Sequence, residues 1–245
     1  MSTIDQYLSE TKKNFAKLNL DNSYKESALT YLSQWLNGDE YKDYHPQIIH
    51  MIESGYWMFL LDSFYQIIPF GTGGRRGEVG IGPNRINAIT VNHSAQGHSQ
   101  YLIKKFGKEV LTKGIVIAYD VRTFYANKYY NKDLPNPVDG LNCETLARNS
   151  AKVYSGNGIK TYFFDGIRTT PELSFAIRYL NTSAGVMISA SHNPPEHNGI
   201  KVFDQFGGQL IPPFDEELVE EVSTNVFSIK SVDLDIAQGN RTTCY

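Results

Sequence analysis

The chain has 245 residues, 41% of them apolar and 20% charged, with a net charge of -3, ordinary values for a globular protein able to bury its own core. No apolar run approaches the roughly 20 residues that cross a bilayer, and the polar start lacks the basic-then-apolar order of a secretory signal, so the expectation is a cytoplasmic protein with no membrane partner. Lys and Arg are scattered, which argues against a nucleic-acid partner, and the distant Cys143 and Cys244 fit neither a disulfide framework nor a zinc site and read as plain thiols.

Apolar steps of three and four residues predict helices over residues 3–18, 23–37 and 46–53. The aromatic run of Tyr56, Trp57, Phe59, Phe64 and Tyr65 reads as core packing, since no basic groove accompanies it. Residues 62–70 lead into the glycine-rich segment 71–77, which is expected to be irregular. A helix over 86–106 follows. Its His93 and His98 are five residues apart, which does not put both on one helical face as metal ligands. From there strands over 114–119, 160–164 and 186–190 alternate with helices over 143–154 and 171–180. Thr170 is placed to cap the last of these, with Pro171 at its first position and Glu172 at its positive end.

After Ser191 a short strand over 201–204 turns at Gly207-Gly208, and a helix runs over 214–226. The short connection into that strand implies that it is antiparallel to its neighbour. The fold class expected is therefore a layered α/β/α domain with a mixed, mainly parallel sheet, preceded by an N-terminal helical extension. The boundaries expected are 1–55 for the extension, 56–227 for the α/β/α domain, and 228–245 for a linker or the start of a second domain.

The segment richest in chemistry is Ser189-Ala190-Ser191-His192-Asn193-Pro194-Pro195-Glu196-His197-Asn198-Gly199-Ile200-Lys201. A buried strand delivers a hydroxyl at its carboxyl end, where open α/β sheets place ligands. His192 and Asn193 can donate to phosphate oxygens, and the two prolines stiffen the loop. Asn198-Gly199 is expected to turn the chain so that Lys201 returns towards Ser191. A serine is a weak nucleophile without an assisting base, and a nearby lysine can exchange the proton.

This stretch resembles the active-site serine loop of the phosphohexomutases, whose members carry a Thr/Ser-Ala-Ser-His-Asn-Pro run followed by Asn-Gly-x-Lys. Phe70-Gly71-Thr72-Gly73-Gly74-Arg75-Arg76-Gly77 is similar to that family's Phe-Gly-Thr-Ser/Gly-Gly-x-Arg-Gly loop. There, glycines admit a phosphate to the backbone and the arginine fork binds its oxygens. The resemblance implies Ser191 as the phosphoserine, whose phosphate also contributes to a magnesium site, and Lys201 as the general acid–base. It implies Arg76 and His192 as further catalytic residues, and Thr72, Gly73, Gly74 and Asn193 as phosphate contacts. Arg75 fills a position that is often apolar there. Ala118-Tyr119-Asp120-Val121-Arg122 resembles the family's Tyr-Asp-x-Arg, but Asp120 with Arg122 reads more simply as a local ion pair.

The activity so implied is phosphate transfer between the C1 and C6 hydroxyls of a hexose, glucose favoured over mannose or a pentose, with Mg2+ and glucose 1,6-bisphosphate as activator. The family's Asp-Gly-Asp-x-Asp-Arg magnesium loop and its sugar-selecting loop are not found, and Asp233-Leu234-Asp235 has no Asp-Arg pair following in register. The missing downstream domains are thus expected as partners, and the chain alone is expected to be inactive. The competing readings are a stand-alone domain that binds sugar phosphates or a protein, and a slow phosphatase acting through phosphoserine.

Overall fold

The structure is a computed structural model that describes residues 3–71 and 73–234 and the backbone of 241–244. Thr72, Asp235 and the side chain of Cys244 lie outside the described residues. The chain divides into two compact units that interleave in sequence. The first takes residues up to 68 with 77–87 and 124–141; the second takes 69–76, 88–123 and 142 onward. The helical unit is therefore not the contiguous segment ending at 55, because its contacts with residues 77–87 and 124–141 are long-range and carry no local sequence signal.

In the first unit α1 (Thr3–Phe15), α2 (Asn22–Asn37), α3 (His45–Glu53) and α4 (Trp57–Phe64) pack together, with a 3-10 turn over Asp39–Tyr44. Asp21 caps α2 by accepting the Ser23 N–H. Leu32, Leu36, Ile48, Met51, Ile52, Leu60 and Phe64 are buried, and Trp35 stacks on Tyr41 with ring centroids 4.5 Å apart. Phe59 stacks on Tyr129 at 4.1 Å, so the aromatic run does pack.

The second unit is an α/β/α sandwich. Its strands are β1 (Gly74–Glu78, of which the last two residues are counted with the first unit), β2 (Ile115–Tyr119), β3 (Thr161–Phe164), β4 (Ala184–Ile188), β5 (His197–Phe203) and β6 (Arg241–Cys244), in the sheet order β1-β5-β4-β2-β3-β6. β2 is parallel to β3 and β4, β6 is parallel to β3, and β5 is antiparallel to β4. The helices are α5 (Ala88–Phe106), α6 (Glu109–Lys113), α7 (Cys143–Gly156), α8 (Thr170–Tyr179) and α9 (Phe214–Thr224). α7 and α8 cover opposite faces, and α5 lies beside α7 and α9. Val116, Ala118, Tyr162, Phe164, Met187 and Phe203 pack on Leu173, Ala176 and Ile177 of α8.

Three local expectations are corrected. Thr169, not Thr170, caps α8, in a reciprocal box with Glu172. Part of the glycine-rich segment is regular, since Gly74–Glu78 is β1. Asn198-Gly199 lies within β5 rather than in a turn; the reversal occurs before it, where the Asn193 N–H donates to Ala190 O and the His197 N–H to Pro194 O.

Gly199 is glycine for β1's sake: a Cβ there would sit 2.5 Å from the Arg75 carbonyl oxygen and 3.2 Å from Arg76 Cα. Overpacking of this kind typically costs about 1–3 kcal/mol. Gly199→Ala should lower the urea midpoint accordingly, and an unchanged midpoint would show that β1 can shift freely.

Candidate active site

The strand period of two carries polar side chains out of the apolar layer beneath α8. Continuing Val116-Ala118 by two residues gives Asp120, continuing Met187 gives Ser189, and Lys201 lies two before Phe203 and directly opposite Met187. These residues, with Ser191, His192, Arg168, Thr169 and Thr170, line one open cleft of about 550 Å³ at the carboxyl ends of β2 and β4 and the start of α8. The connections reverse here: β2 leads through α7 to β3 on one side, and β3 returns through α8 to β4 on the other. Such switch points are where open sheets bind ligands.

Ser191 is exposed in the turn just beyond β4, with a left-handed φ of 58°. For a residue other than glycine this is strained by about 1–3 kcal/mol and persists only where surroundings impose it. Here both backbone polar groups are held. The Ser191 N–H donates to Ser189 Oγ at 2.9 Å, and Ser189 in turn donates to Asp120 Oδ2 at 2.9 Å. The Ser191 carbonyl accepts from Arg122 Nη2 at 2.6 Å. The same guanidinium donates to the carbonyls of Asn193 at 2.7 Å, Pro194 at 2.6 Å and His197 at 3.2 Å. The Asp120–Arg122 ion pair exists but is long, 3.9 Å from Oδ2 to Nε; the stronger partners of Arg122 are the loop carbonyls.

Lys201 is half-buried, and its ammonium is held below the usual lysine value, first by burial and then by the nearby positive charges of Arg76 and Arg122, against the opposing pull of Asp120. Arg76 reaches the serine loop by donating to Asn193 Oδ1 at 3.1 Å. Its neighbour Arg75 points into the protein instead. There it donates to Thr90 O at 3.0 Å and lies over the Phe70 ring, and burial lowers its pKa to about 10. Burial together with Arg75 pushes His93 down to about 4. His98 is buried against Tyr154 OH, so neither histidine takes part in this cleft.

Of the glycines, Gly73 is buried with φ 65° and Gly74 donates its N–H to Gly71 O at 3.0 Å. The tight reversal places Arg76 beside Asn193. His192 is exposed at the rim of the cleft. Cys143 is a buried thiol against Asn198, with its pKa raised by burial. Among the described residues no group of three or more His, Cys, Asp or Glu side chains could hold a metal ion. Asp120, the carboxylate of the cleft, already accepts from Ser189 and the Val121 N–H. These residues alone therefore do not fit a magnesium site. Among them, too, no helix is long and apolar enough to cross a membrane.

A strand-end serine and a lysine held below its ordinary value share this cleft on an α/β/α domain, with an arginine tied to the serine loop. Residues 141–228 match the family described as phosphoglucomutase/phosphomannomutase, alpha/beta/alpha domain I. A phosphoglucomutase of Staphylococcus saprophyticus is 38% identical over 161 residues, covering 66% of this chain and 25% of that protein. A human phosphopentomutase is 33% identical over 194 residues, covering 79% of this chain and 30% of that one. A solved Thermus thermophilus protein assigned as a phosphomannomutase superposes with a TM-score of 0.54 at 26% identity, over 73% of this chain and 33% of its own. These matches assign the chain to the phosphoglucomutase and phosphomannomutase family. The chain spans less than a third of the length of these two sequence relatives.

Proposed function

We propose that this chain is the phosphoserine domain of a sugar-phosphate mutase, with a glucose phosphate as substrate and Ser191 as the phosphoryl carrier. The observation that carries the reading is the strained, exposed Ser191 sharing one cleft with Lys201. The phosphoryl group leaves Ser191 Oγ for a sugar hydroxyl: one P–O bond breaks as another forms. Lys201 takes the proton of the attacking hydroxyl and returns one to the leaving oxygen. Arg76, His192 and Asn193 hold phosphate oxygens at the loop. Magnesium would supply charge neutralisation to the transferring phosphoryl group, and the described residues of this chain do not by themselves form a site for it. A pentose phosphate is the alternative substrate, supported by the 33% identity to the human phosphopentomutase.

Incubation with glucose 1,6-bisphosphate should place one phosphate on Ser191 when the modified peptide is mapped by mass spectrometry. Mannose and ribose bisphosphates in parallel rank the sugars. Phosphate on Ser189 alone, or no phosphate, would overturn the assignment.

A further inference from the structure

We propose that Arg122 is a positioning residue for the serine loop, gathering four of its carbonyls on one guanidinium so that the Ser191 hydroxyl is aimed into the cleft. This rests on the reading of Ser191 as phosphoryl carrier. The three-residue segment Asp120-Val121-Arg122 at the end of β2 grips Ser191 from both sides. Asp120 holds its N–H through Ser189, and Arg122 holds its C=O directly. The other three carbonyls, of Asn193, Pro194 and His197, span the whole reversal from Ser191 to β5. Four carbonyl dipoles converging on one point repel one another unless a cation sits there. A planar fork with five donors can satisfy them together, whereas an ammonium offers three donors around a point.

Arg122 is itself fixed. Its side chain is 14% exposed, its carbonyl accepts the Cys143 N–H at 3.0 Å, and Thr123 bridges Asn142. The main chain of Asp120 is tied to β4 by its N–H donating to Ile188 O at 3.0 Å. The loop is thus anchored to the sheet through residues that need never touch substrate.

The test compares the native chain with Arg122→Gln, Arg122→Lys and Ser189→Ala, and with Arg148→Ala, whose partner is Glu144 on α7, as control. Two readouts are used: amide hydrogen exchange across residues 191–197, and the rate of Ser191 phosphorylation by glucose 1,6-bisphosphate as its concentration is varied. With circular dichroism unchanged, Arg122→Gln should speed exchange at least about tenfold and lower the maximal rate by about 10²-fold, as expected of a small misplacement of a reacting group. The half-saturating concentration should move less than about threefold. Arg122→Lys should restore only part of the rate, Ser189→Ala should loosen the same amides, and Arg148→Ala should match the native chain. Native exchange and rate in Arg122→Gln would overturn the proposal, as would a loosened loop with an unchanged maximal rate. Should Arg122→Gln fail to fold, Arg122→Lys and Ser189→Ala decide in the same two readouts. If the native chain takes no phosphate, the carrier reading and the aiming role fall together, while the exchange data separately decide whether Arg122 clamps the loop.

Discussion

With magnesium and catalytic glucose 1,6-bisphosphate, the 245-residue chain by itself should convert glucose 1-phosphate to glucose 6-phosphate at least about 10³-fold more slowly than the Staphylococcus saprophyticus phosphoglucomutase under the same conditions. Phosphoryl transfer asks a protein mainly to hold the group in line and to neutralise its charge. On the proposed reading the cleft offers Ser191 as carrier, Lys201 as proton exchanger and cationic loop contacts. Its one carboxylate is committed to Ser189 and Val121, and the described residues include no three-ligand cluster for a metal. A metal ion contributes several kcal/mol of transition-state stabilisation in such reactions, and about 4 kcal/mol corresponds to three decades in rate. Labelling of Ser191 without turnover is the pattern expected. Turnover within tenfold of the staphylococcal enzyme would mean that this chain completes its site another way, for instance by pairing with a second copy.

The serine loop was legible because its chemistry is written contiguously from Ser189 to Lys201, and because a buried apolar strand precedes it. The α/β/α class was legible from the alternation of periods. What escaped the sequence was set by contacts between distant residues. Arg122 has a carboxylate two positions away that offers a sufficient local explanation, while its real partners are 69 to 75 residues on. Gly199 sits after an asparagine, the usual signature of a turn, yet it is a strand residue whose missing side chain makes room for β1. The cap of α8 was missed by one residue although the signal was present: Thr169 stands three before Glu172, the spacing of a capping box, and Thr170 does not.

Replacing Lys201 with alanine should cut the maximal rate of phosphoryl exchange at Ser191 by about 10²–10⁴, the usual worth of a positioned proton-transfer group, with little change in the half-saturating sugar bisphosphate concentration. The group is suited to the work because burial, and then the charges of Arg76 and Arg122, hold it below the ordinary lysine value. Lys201 must be neutral to accept a proton, so the rate should rise with pH as the ammonium is lost through that lowered value. Removing a positive neighbour makes the ammonium easier to keep. Arg76→Gln should therefore raise the pKa of Lys201 and move the rising limb to higher pH, whereas Asp120→Asn, which removes the opposing negative charge, should move it lower. Lys201→Arg should not recover the rate, since guanidinium stays protonated across the accessible range. A native rate in Lys201→Ala would make Lys201 a bystander on β5. A loss of rate with pH limbs that ignore Arg76 and Asp120 would leave it a binding residue and send the search for the base elsewhere in the cleft.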